Sequence, residues 1–199
     1  AQHGYQITGV DQSLAMLQHA RAKSAAISPP ISWVHSRAVE FTSDQKFDAV
    51  LFMFTVLGYH IANQDVLGAL QMARRHLVRG GLLLFDVWYG PAVLWQRPGE
   101  RGRVIRSDTN TILRLTRGEL NTRTHTCQVS YDLWKIVGDR VVSRTSEAHT
   151  VRFFFPEELR LILDISGFEI LRIGAFPEWE KEPDETTWNV LVAAQTNPR

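Results

Sequence analysis

A carboxylate stands where an apolar segment stops. Asp11 closes the run over residues 6–10, and Gln12 and Ser13 follow at once. In open α/β sheets ligands collect at the carboxyl ends of strands, and a carboxylate there can accept both hydroxyls of a ribose. The same side chain could instead serve only the helix behind it, as acidic residues before helices often do. A second candidate is Phe54-Thr55-Val56-Leu57-Gly58-Tyr59-His60, an apolar run that enters a Gly-aromatic-His turn. Gly58 permits close backbone approach, and Tyr59 and His60 would stand at the mouth of a ligand crevice. Histidine titrates near neutrality and so suits proton transfer. Asp86, Trp88 and Tyr89 end a third apolar run. Further on, Glu147, His149 and Val151 alternate, which sets a carboxylate beside an imidazole on one strand face; a solvated face would read the same way. Arg97, Arg101, Arg103, Arg106, Arg114 and Arg117 meet only Glu100 and Asp108 in their stretch. Arginine forks match phosphate geometry, although charge on an edge sheet also discourages aggregation. His3, His19, His76 and His125 show no pattern, and no Cys/His cluster has metal-ligand spacing, so no metal is expected.

The elements that must position these residues can be read from periodicity. Residues 6–10, 31–34, 47–54 and 82–87 are strand candidates, and the nearly continuous apolar character of 47–54 predicts burial on both faces. Ser13 can cap a helix that carries Leu14, Leu17 and Ala20 and ends near Lys23. Val66, Leu70, Ala73 and Leu77 form one helical stripe, with Arg74, Arg75, His76 and Arg79 near its C-terminal end and Gly80-Gly81 as its stop. Strand and helix in alternation predict a parallel sheet covered by helices, an α/β architecture. Residues 97–155 lack helical periodicity. Segments 104–115, 124–136 and 140–155, with a turn at Val137-Gly138-Asp139-Arg140, predict a small antiparallel sheet inserted after the fourth strand. Pro156, Glu157 and Glu158 then open a helix that buries Leu159, Ile162 and Leu163 and ends at Gly167. Residues 168–176 and 188–196 are the closing strands, joined by the acidic loop 178–185. The predicted domains are a cofactor-binding unit over 1–96 and 156–199 and an inserted sheet over 97–155.

Composition narrows the function classes. In 199 residues, 44% are hydrophobic and 22% charged, which excludes disorder and any fibrous class. A net charge of +1 gives no general reason to expect nucleic acid or an anionic membrane as partner, and no aromatic-basic interleaving stands out. The single cysteine, Cys127, excludes an internal disulfide framework and fits a reducing cytoplasm. No apolar stretch approaches the roughly 20 residues of a membrane-spanning helix. The opening Ala-Gln-His-Gly-Tyr lacks the pattern of a signal peptide and reads as the middle of a fold.

Gly4-Tyr5-Gln6-Ile7-Thr8-Gly9-Val10-Asp11-Gln12-Ser13, Met16-Leu17, Ala20-Arg21, Phe47-Asp48-Ala49-Val50, Leu57-Gly58-Tyr59-His60, Arg79-Gly80-Gly81 and Gly167-Phe168 together carry a resemblance. The chain resembles the class I S-adenosylmethionine-dependent methyltransferases, in particular the amino-sugar N-methyltransferases and glycine N-methyltransferase. The resemblance implies a Rossmann-like, mostly parallel sheet with a closing antiparallel hairpin, and S-adenosyl-L-methionine as cofactor. It implies that Asp11 holds the cofactor ribose, with Gln12 beside it, that Met16 flanks the adenosyl group, and that Phe54 to Tyr59, Gly58 included, line the methionine side. The family usually shows Gly-Asp after the strand 31–34, where this chain has His35-Ser36-Arg37. Arg37 cannot accept the adenine amino proton, whereas Ser36 can. The family's first strand and glycine-rich loop are expected before Gly4, so the chain reads as starting after them.

Methyl transfer is an in-line displacement in which alignment can contribute about 7–11 kcal/mol. His60, His149 and Tyr59 are the candidate bases. Trp88, Tyr89 and Arg97 are candidate substrate contacts, and the inserted sheet is a candidate lid. The expected activity is methyl transfer to a nitrogen or oxygen of a small molecule in the cytoplasm, without nucleic acid or membrane partners; a homodimer is one assembly this allows. The other class of reading is a non-catalytic or truncated homologue that acts as a binding module.

Overall fold

The computed structural model of the chain describes residue 1 and residues 3–197. Its elements are β1 (Thr8–Asp11), α1 (Leu14–Ser24), β2 (Ser32–His35), β3 (Phe47–Phe52), α2 (Asn63–His76), β4 (Leu77–Tyr89), α3 (Gly90–Gln96), β5 (Arg101–Arg106), β6 (Thr111–Asn121), β7 (Thr126–Val137), β8 (Arg140–Phe154), α4 (Pro156–Ile165), β9 (Phe168–Ala175) and β10 (Asn189–Thr196). β1 and β2 pair in parallel as a two-stranded sheet. The other strands form a mixed sheet in the order β5-β6-β7-β8-β4-β10-β9, with β3 parallel to β4.

β4 organises the core because its side chains alternate cleanly. Leu83, Phe85 and Val87 are fully buried and point to the face where α2 and α4 lie. α2 lays Val66, Ala69, Leu70 and Ala73 on that face, and α4 adds Leu159 and Leu163. Each such Leu or Phe contributes roughly 1.5–3 kcal/mol through burial. His76 belongs to this core as a satisfied histidine. Its Nδ1–H donates to the Met72 carbonyl (2.8 Å), and its Nε2 accepts from the Ser43 amide (3.1 Å).

Three expectations need correction. β3 is not buried on both faces: Val50 and Phe52 pack into the core, but Leu51 is 57% exposed. The reason is that α2 and α4 cover a single face of this sheet. Gly80-Gly81 does not stop α2. The helix ends at His76 and β4 starts at the next residue, so both glycines lie inside the strand, where the pairing with β3 shifts register. Gly80 takes φ +73° there, a conformation glycine adopts without steric cost. Segment 104–115 is two strands, not one. Ser107 and Asn110 bond each other across a turn (Ser107 N–H to Asn110 O, 2.9 Å), and turn-forming side chains fill that interval.

The inserted strands β5 to β8 form an antiparallel meander. The turn at Gly138 and the closing pair β9–β10 lie where expected. β8 returns to the core by pairing in parallel with the end of β4, Trp88 beside Phe153 and Tyr89 beside Phe154. Among the described residues no helix is long and apolar enough to cross a membrane.

Candidate active site

β1 and β2 deliver their last residues side by side, Asp11 opposite His35. The Asp11 Oδ1 accepts from the Ser13 amide at 2.7 Å, and Ser13 in turn accepts from the Met16 amide at 3.3 Å, so both serve the start of α1. His35 Nε2–H donates to the Gln12 carbonyl at 2.9 Å and ties the two strand ends together. The Ser36 hydroxyl is spent on the Arg37 carbonyl (3.0 Å). Met16 lies exposed on α1. Among the described residues the second Asp11 oxygen, Oδ2, takes no hydrogen bond, so a carboxylate oxygen is left for a ligand at this strand end.

After β3 the chain turns through Phe54 and Thr55, both at φ 65°. For a β-branched residue this is a strained conformation, costing about 1–3 kcal/mol. Asp86, buried at the end of β4, holds it. Its Oδ2 accepts from the Thr55 amide (3.0 Å), the Thr55 hydroxyl (3.3 Å) and the Asn189 side-chain amide (3.0 Å). Its Oδ1 is buried without a partner among the described residues. Phe54 is left 79% exposed. Residues Val56–Tyr59 then form one 3-10 turn. Gly58 lies against β8 so closely that a Cβ there would be 3.1 Å from both the Arg152 carbonyl and Val151 Cγ1.

That contact brings Tyr59 to β8. Its ring lies edge-on to His149 with centroids 6.1 Å apart, and Tyr131 approaches His149 at the same distance from β7. Glu147 Oε2 is 3.4 Å from His149 Nε2. His60 follows Tyr59. Burial lowers its pKa from the usual 6.5, and the positive charge of Arg37 lowers it further, while Asp65 pulls the other way.

The structure thus brings Tyr59 to His149 and Gly58 to β8, with His60 next in the chain. Asp11, Gln12, Met16 and Ser36 form a second group at the β1–β2 ends. Trp88 packs edge-on to Trp188 (5.1 Å), at the same end of β4 as Asp86. Tyr89 is buried in the core cluster, and Arg97 is exposed beyond α3. Neither joins the Tyr59–His149 group. A depression of about 720 Å³ lined by Ser43, Lys46, Arg74 and Arg75 sits at the opposite end of the sheet, where β3 and β4 begin. Among the described residues no group of three or more His, Cys, Asp or Glu side chains is placed to hold a metal ion. Tyr131 was not legible as a site residue. Arg152 was, in principle: a lone cation inside the apolar run Val151 to Phe155 is a signal of a buried, paired charge.

The chain is similar in sequence and fold to known proteins. A family profile described as "Methyltransferase domain" matches residues 1–81. The chain is 29% identical over 198 residues to YqeM of Bacillus subtilis (strain 168), assigned as a methyltransferase, and spans 98% of this chain and 77% of that protein. It is 24% identical over 168 residues to dTDP-3-amino-3,4,6-trideoxy-alpha-D-glucopyranose N,N-dimethyltransferase of Streptomyces venezuelae, covering 81% and 65% of the two chains. The crystal structure of an S-adenosylmethionine-dependent methyltransferase from Clostridium acetobutylicum ATCC 824 superposes with TM-score 0.83 at 18% identity, over 97% of this chain and 76% of that one. Residues 1–81 thus match a methyltransferase domain, and the fold is shared with solved S-adenosylmethionine-dependent methyltransferases. An amino-sugar N-methyltransferase is among its relatives.

Proposed function

We propose that the chain methylates a nitrogen on a small, phosphate-bearing molecule, with Tyr59, His60 and His149 around the acceptor. The observation that carries this reading is the edge-on pair of Tyr59 and His149, with Glu147 behind the imidazole. A carboxylate there can orient the imidazole by accepting from its Nε2–H. When bound, the donor supplies an electrophilic methyl carbon on a sulfonium. Asp11 would hold its ribose through the free Oδ2, with Gln12, Met16 and Ser36 around the adenosyl end and Phe54 and Gly58 on the methionine side. Tyr59 orients the acceptor amine, and His149 or His60 takes the proton the nitrogen sheds as its lone pair forms the new bond.

The inserted sheet supports a phosphorylated acceptor. Register puts Arg101, Thr116, Tyr131 and Glu147 in one cross-strand row, and Arg103 directly opposite Arg114 on the same face. Like charges directly opposed destabilise a sheet. None of these three arginines has an ion-pair partner among the described residues, and the Arg114 Nε is buried without a hydrogen bond. The row spans about 14 Å between β5 and β8 at ordinary strand spacing. That suits a molecule with its amine near His149 and its phosphates under the arginine forks, such as the nucleotide-linked amino sugar named for the Streptomyces relative.

The test is incubation with S-adenosylmethionine and dTDP-linked amino sugars, read by mass spectrometry for the mass of one methylene per transfer. His149→Ala should abolish turnover and leave cofactor binding, measured by calorimetry, intact. Absence of cofactor binding would convert the reading to that of a binding module.

A further inference from the structure

We infer that Arg152 is the positioning residue that sets the Tyr59–His60 turn against His149; this rests on the methyl-transfer reading of the same site. Arg152 lies in β8, three residues after His149, and is 7% exposed. A buried guanidinium must be paired and hydrogen-bonded to persist. Its Nη1–H donates to the Ile61 carbonyl (3.0 Å), and Nη2–H donates to Asn63 Oδ1 (2.6 Å) and to Glu158. Glu158 is itself fixed, because its other oxygen accepts from the Phe155 amide at 3.2 Å. Meanwhile the Arg152 backbone carbonyl abuts Gly58. One residue therefore holds both flanks of the segment 58–63, its main chain at Gly58 and its side chain at Ile61 and Asn63. Tyr59 and His60 lie between those two grips. Because Arg152 and His149 share one strand, the distance from turn to imidazole is fixed by the guanidinium fork. A lysine, with a single ammonium, could not span the same three acceptors.

A merely structural Arg152–Glu158 pair would predict something different, and Asn63 separates the two. Asn63 is exposed and begins α2, so Asn63→Ala removes one grip on the segment and leaves the Arg152–Glu158 pair in place. The full chain, carbon-13 labelled at histidine, gives a His149 ring resonance that senses the Tyr59 ring; His149→Gln assigns it and Tyr59→Leu shows its position without that ring. At fixed alkaline pH, Asn63→Ala and Arg152→Lys should each move the resonance toward the Tyr59→Leu position. Asn63→Ala should do so with an unchanged melting temperature. Arg160→Ala, which breaks only the exposed pair with Glu157, serves as control. In the methyl-transfer assay kcat should fall on the order of 100-fold, as for a displacement near 1 Å, with cofactor Kd unchanged. If Arg152→Lys fails to fold, Asn63→Ala decides alone. A His149 resonance that stays at its wild-type position in Asn63→Ala overturns the role of Arg152. That readout needs no acceptor, so the methyl-transfer reading stands or falls separately on the activity of the unmodified chain.

Discussion

A single methyl group on Gly58 probes how tightly the turn is set against the inserted sheet. A Cβ at Gly58 would lie 2.8 Å from Thr55 Cγ2 and 3.1 Å from both the Arg152 carbonyl and Val151 Cγ1. Ordinary contact begins near 3.4 Å, so the tightest of these is about 0.6 Å short. Thr55 cannot rotate away without breaking its hydroxyl's bond to Asp86, and the other two groups belong to β8. The turn must therefore back off the strand by about 0.3 Å. Overpacking of this kind costs about 1–3 kcal/mol, which in a chain of this size lowers the melting temperature by about 2–4 °C per kcal/mol. Since a 1 Å misplacement can cost on the order of 100-fold in rate, about a third of that displacement should lower kcat about fourfold. Thermal unfolding by circular dichroism and steady-state turnover read the two effects. A Gly58→Ala protein with wild-type melting temperature and kcat would refute the close packing of turn on strand.

Asp11→Ala should weaken cofactor binding by about 1.5–3 kcal/mol, read as a 10- to 150-fold rise in calorimetric Kd; an unchanged Kd would leave Asp11 as the partner of the Ser13 amide alone. Because burial holds the His60 pKa below 6.5, the rate should rise with pH through a midpoint under that value, lower still in Asp65→Asn and higher in Arg37→Gln. The stability sign follows from the same shift: unfolded His60 takes up its proton at higher pH than folded His60, so its contribution is full above 6.5 and is lost as pH falls through the folded value, measurable as the urea midpoint against pH. Asp86→Ala leaves the Thr55 and Asn189 donors unpaired and should cost about 2–3 kcal/mol in urea unfolding. Arg114→Met should raise KM for a phosphate-bearing acceptor and flatten its salt dependence, while an acceptor without phosphate is used as before.

Local signals in the chain are legible where they are self-contained. Asp11, the Gly138 turn, Pro156 with its two acidic neighbours, and the hairpin β9–β10 each announce themselves by a residue type at a boundary. The Tyr59 turn and His149 could be picked out singly for the same reason. Their meeting could not, because it depends on β8 pairing with the end of β4, a contact between segments far apart in sequence. Gly80-Gly81 misleads because helix α2 passes into β4 without a linker; Leu77 completes the helical stripe and also begins the strand. The exposure of Leu51 is likewise invisible, since a continuous apolar run says nothing about which sheet face the helices cover. Arg152 carries a visible anomaly, yet its partners Ile61, Asn63 and Glu158 come from other elements, and no spacing links them.

The site is built so that strain in one loop is offset by the central strand. Phe54 and Thr55 hold left-handed backbone, and the Thr55 amide and hydroxyl converge on one oxygen of Asp86. Asp86 is shared with Asn189 of β10. The turn that presents Tyr59 and His60 is thus anchored from below by β4 and β10, and from the side by Arg152 of β8. His149 rides on that same β8. The inserted sheet cannot then drift as an independent flap without carrying its imidazole and its grip on the turn together. Movement between sheet and turn is restricted at Gly58, Ile61 and Asn63. Farther out on the meander β8 is exposed from Arg140 to Thr150, and on β5 and β6 Arg103 stands opposite Arg114.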